Sequence, residues 1–214
     1  YPELQVGGAP AEIVQGRVPK LDAESMEPVT AERVELEWCP PGHGELLTLL
    51  ESTGLRRRLM KQGYRYLFVS NSDNLGAVPD ARIPEWMGRN AVPMVMEVCR
   101  RTLSDMKGGH IARRRDSGRL VLRDSNMVVA GEENTYEDIA LHRYFNTNCL
   151  WFDLVALSDI VAREGLVKLP VIVNRKTLDP TDSRTRPVIQ LETGMGTSVG
   201  AFDGAQVVEV PREK

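Results

Sequence analysis

The chain is poor in cysteine, and its cysteines are far apart. Three of them, at positions 39, 99 and 149, exclude a disulfide framework and a Cys-based zinc knuckle, both of which need more cysteines at shorter spacing. Cysteine usage of this kind points to a reducing, cytoplasmic compartment. No apolar run approaches the roughly 20 residues that a membrane-spanning helix needs. There is no excess of basic charge: 27 Lys and Arg stand against 30 Asp and Glu, a net charge of −3, which rules out a polybasic protein that coats nucleic acid. The three histidines, at 43, 110 and 142, lack the i, i+4 spacing of a helical zinc site. No Gly-x-Ser-x-Gly elbow is present, and no Gly-x-x-x-x-Gly-Lys-Ser/Thr loop. Gly194-Met195-Gly196 follows no clear strand and does not make a dinucleotide fingerprint.

What is present is an ordinary globular composition, 42% hydrophobic and 27% charged, on a chain long enough for one large domain or two small ones. The chain opens Tyr1-Pro2-Glu3-Leu4, without initiator Met or apolar leader, and closes on Val210-Pro211-Arg212-Glu213-Lys214. Both ends read as cuts in a longer chain. Residues 1–44 read as loops around a short strand at Glu12-Ile13-Val14. A broken helix is expected over 45–62, interrupted at Ser52-Thr53-Gly54. Short apolar runs at 65–70 and 92–98 read as buried strands. Segments 110–115 and 119–123 flank Asp116-Ser117-Gly118 as a hairpin. Residues 145–152 are mixed strand or loop. Residues 153–164 carry helical periodicity, with Asp153 as N-cap and Gly165 beyond the end. Further strands are expected at 169–174 and 206–210. Strands interleaved with helices give an α/β domain with a mixed, mostly parallel sheet flanked by helices.

Four loops carry the chemistry. Pro40-Pro41-Gly42-His43-Gly44 stands directly before a helix, where free N–H groups favour an anion or a carbonyl oxygen; it also reads as a rigid turn with a surface histidine. Ser70-Asn71-Ser72-Asp73-Asn74-Leu75-Gly76 follows a strand, where ligands of open α/β sheets bind. Its carboxylate suits Mg²⁺ on a polyphosphate, although Asn and Asp also close strands as Asx turns. Lys107-Gly108-Gly109 lets a sugar or phosphate approach the backbone, or is simply a hairpin turn; the arginines around it, Arg100 and Arg101 among them, read as a solvated face. Phe145-Asn146-Thr147-Asn148 offers alternating amides to a polyol, or caps a strand start.

Taken in order, these loops resemble the UTP–glucose-1-phosphate uridylyltransferase (UDP-glucose pyrophosphorylase) family. The matching stretches also include Val14-Gln15-Gly16-Arg17-Val18-Pro19-Lys20-Leu21, Gln190-Leu191-Glu192-Thr193 and Val210-Pro211-Arg212. The resemblance implies a GT-A-like nucleotidyltransferase domain, truncated at both ends, of which residues 1–214 are the central part. It implies that UTP and glucose 1-phosphate give UDP-glucose and pyrophosphate, with Mg²⁺ as cofactor and no nucleic acid or membrane as partner. Gln15 and Gly42 would read uracil, and Asn71, Ser72 and Asp73 would contact the nucleotide. Asp73 would ligate the metal, and it and His43 would be the catalytic pair. His43, Gly109, Asp124, Asn146, Thr147 and Asn148 would contact the sugar. The family's Gly-rich phosphate loop and its lysines fall outside these residues, which implies a piece inactive alone. Cys149 stands where the family usually has Asn, and Asp124 where it has a Glu that reaches farther by one methylene. The alternatives are a non-catalytic sugar-nucleotide binding module, or a uridylyltransferase for N-acetylglucosamine 1-phosphate or galactose 1-phosphate.

Overall fold

The computed structural model describes residues 12–212. In chain order the elements begin with β1 (Val18–Pro19), β2 (Leu21–Asp22), β3 (Trp38–Cys39), α1 (Glu45–Ser52), α2 (Leu55–Lys61) and β4 (Tyr66–Val69). They continue with α3 (Arg82–Asn90), β5 (Met94–Arg100), β6 (His110–Arg113), β7 (Leu120–Arg123) and α4 (Glu133–Glu137). The last are β8 (Tyr144–Asp153), α5 (Leu154–Glu164), β9 (Val171–Thr177), β10 (Pro187–Thr193) and β11 (Gln206–Glu209). Two compact units result. The first runs to Leu55 and takes in Leu169–Met195; the second is Arg56–Lys168 with the chain from Gly196 onward.

In the first unit β10 is the middle strand of an antiparallel sheet with β2 and β9, in register from Pro187↔Thr177 to Thr193↔Val171. β1 pairs with β3. The strand expected at Glu12-Ile13-Val14 does not form; pairing starts at Val18, where the facing Trp38–Cys39 segment supplies a partner. Conversely Leu191-Glu192-Thr193, which shows no strand pattern of its own, is the end of β10 because β9 pairs with it residue for residue. The broken helix is as expected: α1 buries Leu47 and Leu50 on one face, and Thr53-Gly54 separates it from α2. The buried Lys20 ammonium is satisfied by the Leu178 carbonyl at 2.8 Å.

The second unit holds a six-stranded sheet in the order β11-β5-β8-β6-β7, with β4 also on β8. The α/β class and the mixed sheet hold, but the parallel share is smaller than expected. Among the described residues only β11 and β5 run parallel; β4, β5 and β6 all meet β8 antiparallel, because one ten-residue strand is their common partner. β5 is buried from Met94 to Cys99 on both faces, as a central strand must be. Helix α5 keeps the expected signals. The Asp153 carboxylate accepts from the Val155 N–H at 2.9 Å, and Gly165 ends the helix at φ +80°. Helix α3 sets Ile83, Trp86 and Met87 at helical spacing, but Pro84 and Gly88 read as breakers and hide it. Pro84 lies in the first turn, where its missing N–H costs nothing. A Cβ on Gly88 would stand 2.8 Å from the Tyr66 hydroxyl, so a larger residue there would push the phenol aside. Ile83 and Met87 of α3 pack with Val92, Val95 and Trp151 into the core beside Tyr66, Phe68 and Val208.

Candidate functional site

In the first unit the Pro41–Gly44 turn is zipped to the end of β10. The Thr193 N–H donates to the Pro41 carbonyl at 2.8 Å, and the Gly44 N–H donates to the Thr193 carbonyl at 2.9 Å. This explains both glycines. A Cβ at Gly42 (φ +87°) would stand 2.4 Å from the Thr193 carbonyl oxygen, and one at Gly44 2.6 Å from Thr193 Oγ1. The close approach is therefore to the chain's own backbone. The exposed His43 accepts the Met195 N–H on Nδ1 at 3.1 Å, which leaves the ring proton on Nε2. Gln15 donates its amide N–H to the Gly42 carbonyl at 2.6 Å, and the Gly16 N–H donates to the Glu45 carboxylate at 2.8 Å. Gln15, Gly42 and His43 thus share one corner of the first unit.

In the second unit a cavity of about 430 Å³ is lined by Asn71, Asp73, Asn146, Thr147, Asn148 and, on another side, Arg212. The sequence places them there by two devices. The loop after β4 turns at once, with the Asn74 N–H on the Asn71 carbonyl, and leaves Asn71, Ser72 and Asp73 exposed. Strand β8 carries a bulge: Glu97 faces Cys149 but Val98 faces Asn146, so Thr147 and Asn148 are extra residues. Asn148 takes φ +57° there, a left-handed conformation that Asn tolerates better than other side chains. The bulge is fastened from within. Thr147 Oγ1 donates to the Glu97 carbonyl at 2.8 Å, and the Asn146 amide oxygen accepts the Asn148 N–H at 2.9 Å. The buried Glu97 carboxylate accepts the Trp151 indole N–H at 2.8 Å.

Asn148 Nδ2 donates to Asn71 Oδ1 at 2.7 Å, which joins the two loops. Its own Oδ1 is buried and accepts no hydrogen bond from the described residues. Gly196 abuts the same amides, since a Cβ on it would come within 3.0 Å of Asn146 Nδ2. At Gly109, by contrast, a Cβ would meet Leu122, the Arg123 carbonyl and Asp124 Oδ2 only at 3.5–3.6 Å, an ordinary contact, so packing alone does not demand glycine there. Asp124 Oδ1 accepts the Ser125 N–H at 2.7 Å. Cys149 Sγ is 3.5 Å from Asn74 Nδ2. Among the described residues no group of three or more His, Cys, Asp or Glu converges on a metal position.

With this geometry in view, comparison with known proteins is decisive. A family model for UTP–glucose-1-phosphate uridylyltransferase matches residues 9–214. The chain belongs to that family. It is 35% identical over 202 residues to UTP–glucose-1-phosphate uridylyltransferase 2 of Dictyostelium discoideum and 36% identical to the probable UTP–glucose-1-phosphate uridylyltransferase of Schizosaccharomyces pombe. Each alignment covers 94% of this chain and 39% of the relative, so the chain spans about two fifths of their length. A variant UDP-glucose pyrophosphorylase from Leishmania major, solved in complex with UDP-glucose, superimposes with a TM-score of 0.90 at 41% identity, over 99% of this chain and 47% of that one. A UDP-glucose phosphorylase from Trypanosoma brucei gives 0.88 at 44% identity, over 93% and 43%.

Within the uridylyltransferase framework, the second unit brings Asn71, Asp73, Asn146, Thr147 and Asn148 to one cavity and sets Gly109 beside Asp124. Ser72 is an exposed turn residue next to them. Sequence reasoning missed Gly196, whose signal was only a Gly-x-Gly pattern. It also placed Arg101 on a solvated face, whereas Arg101 is buried at 7% exposure.

Proposed function

We propose that this chain carries base- and sugar-recognition elements of a uridylyltransferase that joins UTP and glucose 1-phosphate into UDP-glucose, with release of pyrophosphate. The observation that carries the reading is the Asn71–Asn148 wall. A left-handed asparagine, a buried acceptor without a partner among the described residues and two linked amides stand where the family resemblance puts ligand contacts. Strain and unsatisfied polar atoms of this kind concentrate at functional sites. Gly109 stands beside the Asp124 carboxylate, which would accept from a sugar hydroxyl.

The reaction is an in-line displacement. A phosphate oxygen of glucose 1-phosphate forms a bond to the α-phosphorus of UTP as the bond from that phosphorus to the departing pyrophosphate oxygen breaks. Such transfer asks the protein for positioning and charge stabilisation. The Gln15 amide, fixed through Gly42, would present its oxygen to the uracil N3–H. His43, with its proton on Nε2, would donate to a phosphate or sugar oxygen. The amides of Asn71, Asn146 and Asn148 would orient hydroxyls. Asp73 is the residue that would hold Mg²⁺. It offers one exposed carboxylate at the cavity, and the donor set fits an ion that takes its other ligands from phosphate and water. When bound, Mg²⁺ neutralises charge on the polyphosphate. The three buried cysteines, none in a disulfide among the described residues, support a cytoplasmic setting.

Pyrophosphate release by the full-length protein tests the reading. UTP with glucose 1-phosphate should release it faster than ATP, CTP or GTP, and faster than with N-acetylglucosamine 1-phosphate or galactose 1-phosphate. Release with no nucleotide overturns the enzyme; UDP-glucose binding without release would select the non-catalytic module instead.

A further inference from the structure

The loop Lys107–Gly109 is held from behind by two buried side chains that no part of the reading above uses. Arg101 is 7% exposed, yet its guanidinium points inward. Through Nη2 it donates to the carbonyls of Asp105 at 3.0 Å and Met106 at 2.7 Å, the two residues that lead into the loop. Through Nη1 it donates to the carbonyls of Tyr136 and His142, each at 3.2 Å. Tyr136, 3% exposed, continues the line: its hydroxyl lies 2.9 Å from the Gly108 carbonyl and 3.3 Å from that of Lys107. The front of the loop is fixed as well. A Cβ on Gly108 would collide with the Phe145 ring at 2.2 Å, and the Gly109 carbonyl accepts the Asn146 N–H at 3.0 Å.

We propose that Arg101 and Tyr136 are positioning residues for the sugar end of the site: together they set where the Gly109 backbone stands relative to Asp124 and Asn146. The inference rests on the uridylyltransferase reading and deepens it. A buried guanidinium spending four hydrogen bonds on backbone carbonyls acts as a splint; a surface arginine would hold none of them. The phenol is the finer adjustment. Burial raises its pKa, with the Asp124 charge adding to the effect, to about 12, so it stays a donor throughout the neutral range. Neither side chain approaches the cavity, so their effect reaches a ligand only through the loop.

The test is titration calorimetry of UDP-glucose and of UDP on the full-length protein and its Tyr136→Phe variant. That variant keeps the ring and its packing against His110 and removes one donor. The wild type should bind UDP-glucose more tightly than UDP. Tyr136→Phe should weaken UDP-glucose about three- to tenfold, the worth of one hydrogen bond, and leave UDP within about twofold. Arg101→Lys, which keeps the charge but cannot reach four carbonyls, should act in the same direction and more strongly; if it does not fold, Tyr136→Phe decides. An unchanged preference for UDP-glucose in Tyr136→Phe overturns the inference and leaves the uridylyltransferase reading intact. Equal weakening of both ligands with a lower Tm shows a general structural role and also overturns it. A wild type that binds neither ligand sinks the reading and the inference with it.

Discussion

At Asn148 the backbone and the side chain want different substitutions, and this separates their roles. The φ of +57° costs an alanine about 1 kcal/mol or more and costs glycine nothing. Asn148→Ala should therefore be less stable than Asn148→Gly by about 1 kcal/mol in urea denaturation, although both lose the amide that holds Asn71. Asp73 is the second residue-scale test. Asp73→Asn keeps the shape and removes the charge, and should lower Mg²⁺-dependent turnover by about 10²-fold or more; unchanged kinetics would take Asp73 out of the site. The sequence marked Asp73 as one of several short polar side chains clustered after a strand, and Asn148 as one of two alternating amides, although Asn148 stands inside β8. It did not mark Arg101, because nothing local distinguishes it from its neighbour Arg100, which is exposed and pairs with Glu209 at 2.8 Å. Burial is decided by where β6 and α4 fold against it.

At the scale of elements, the hairpin strand β6 buries a titratable ring. His110 has no exposed surface, stacks on His142 at 3.9 Å and lies 4.8 Å from Tyr136. Burial first, then the charges of His142, Arg101 and Arg123, depress its pKa to about 3. The sign follows from linkage. The unfolded imidazole, with its ordinary value near 6.5, binds a proton that the folded one refuses, so stability is lost as the pH falls from about 6.5 toward 3. The Tm should drop across the part of that window where the fold survives, and His110→Phe should flatten the slope; an equally steep slope in the variant would remove His110 as the cause. Helix α5 makes a complementary prediction. Asp153 caps it and accepts Arg65 at 2.9 Å, so Asp153→Ala should cost about 2 kcal/mol, a cap plus a partly screened ion pair. This helix was readable because period, cap and terminal glycine agree. Helix α3 and strand β10 were not, since Pro84 and Gly88 read as breakers in the first and the second is justified by its pairing with β9.

For the molecule as a whole, family membership is fixed by a match running from residue 9 to 214, and the order of polar loops already carried that signal. What one sequence could not show is how the chain divides. The first unit is closed by a segment, Leu169–Met195, that returns more than 110 residues after Leu55, and no local pattern marks that return. Each unit brings its own expected contacts together, Gln15 with Gly42 in one and Asn71 with Asn148 in the other. The most direct measurement is the steady-state kinetics of Asn148→Gly in the full-length protein, with each substrate varied in turn. The account predicts a KM for glucose 1-phosphate raised about tenfold or more, with the KM for UTP within about twofold. A rise confined to UTP, or no change in either, would contradict it.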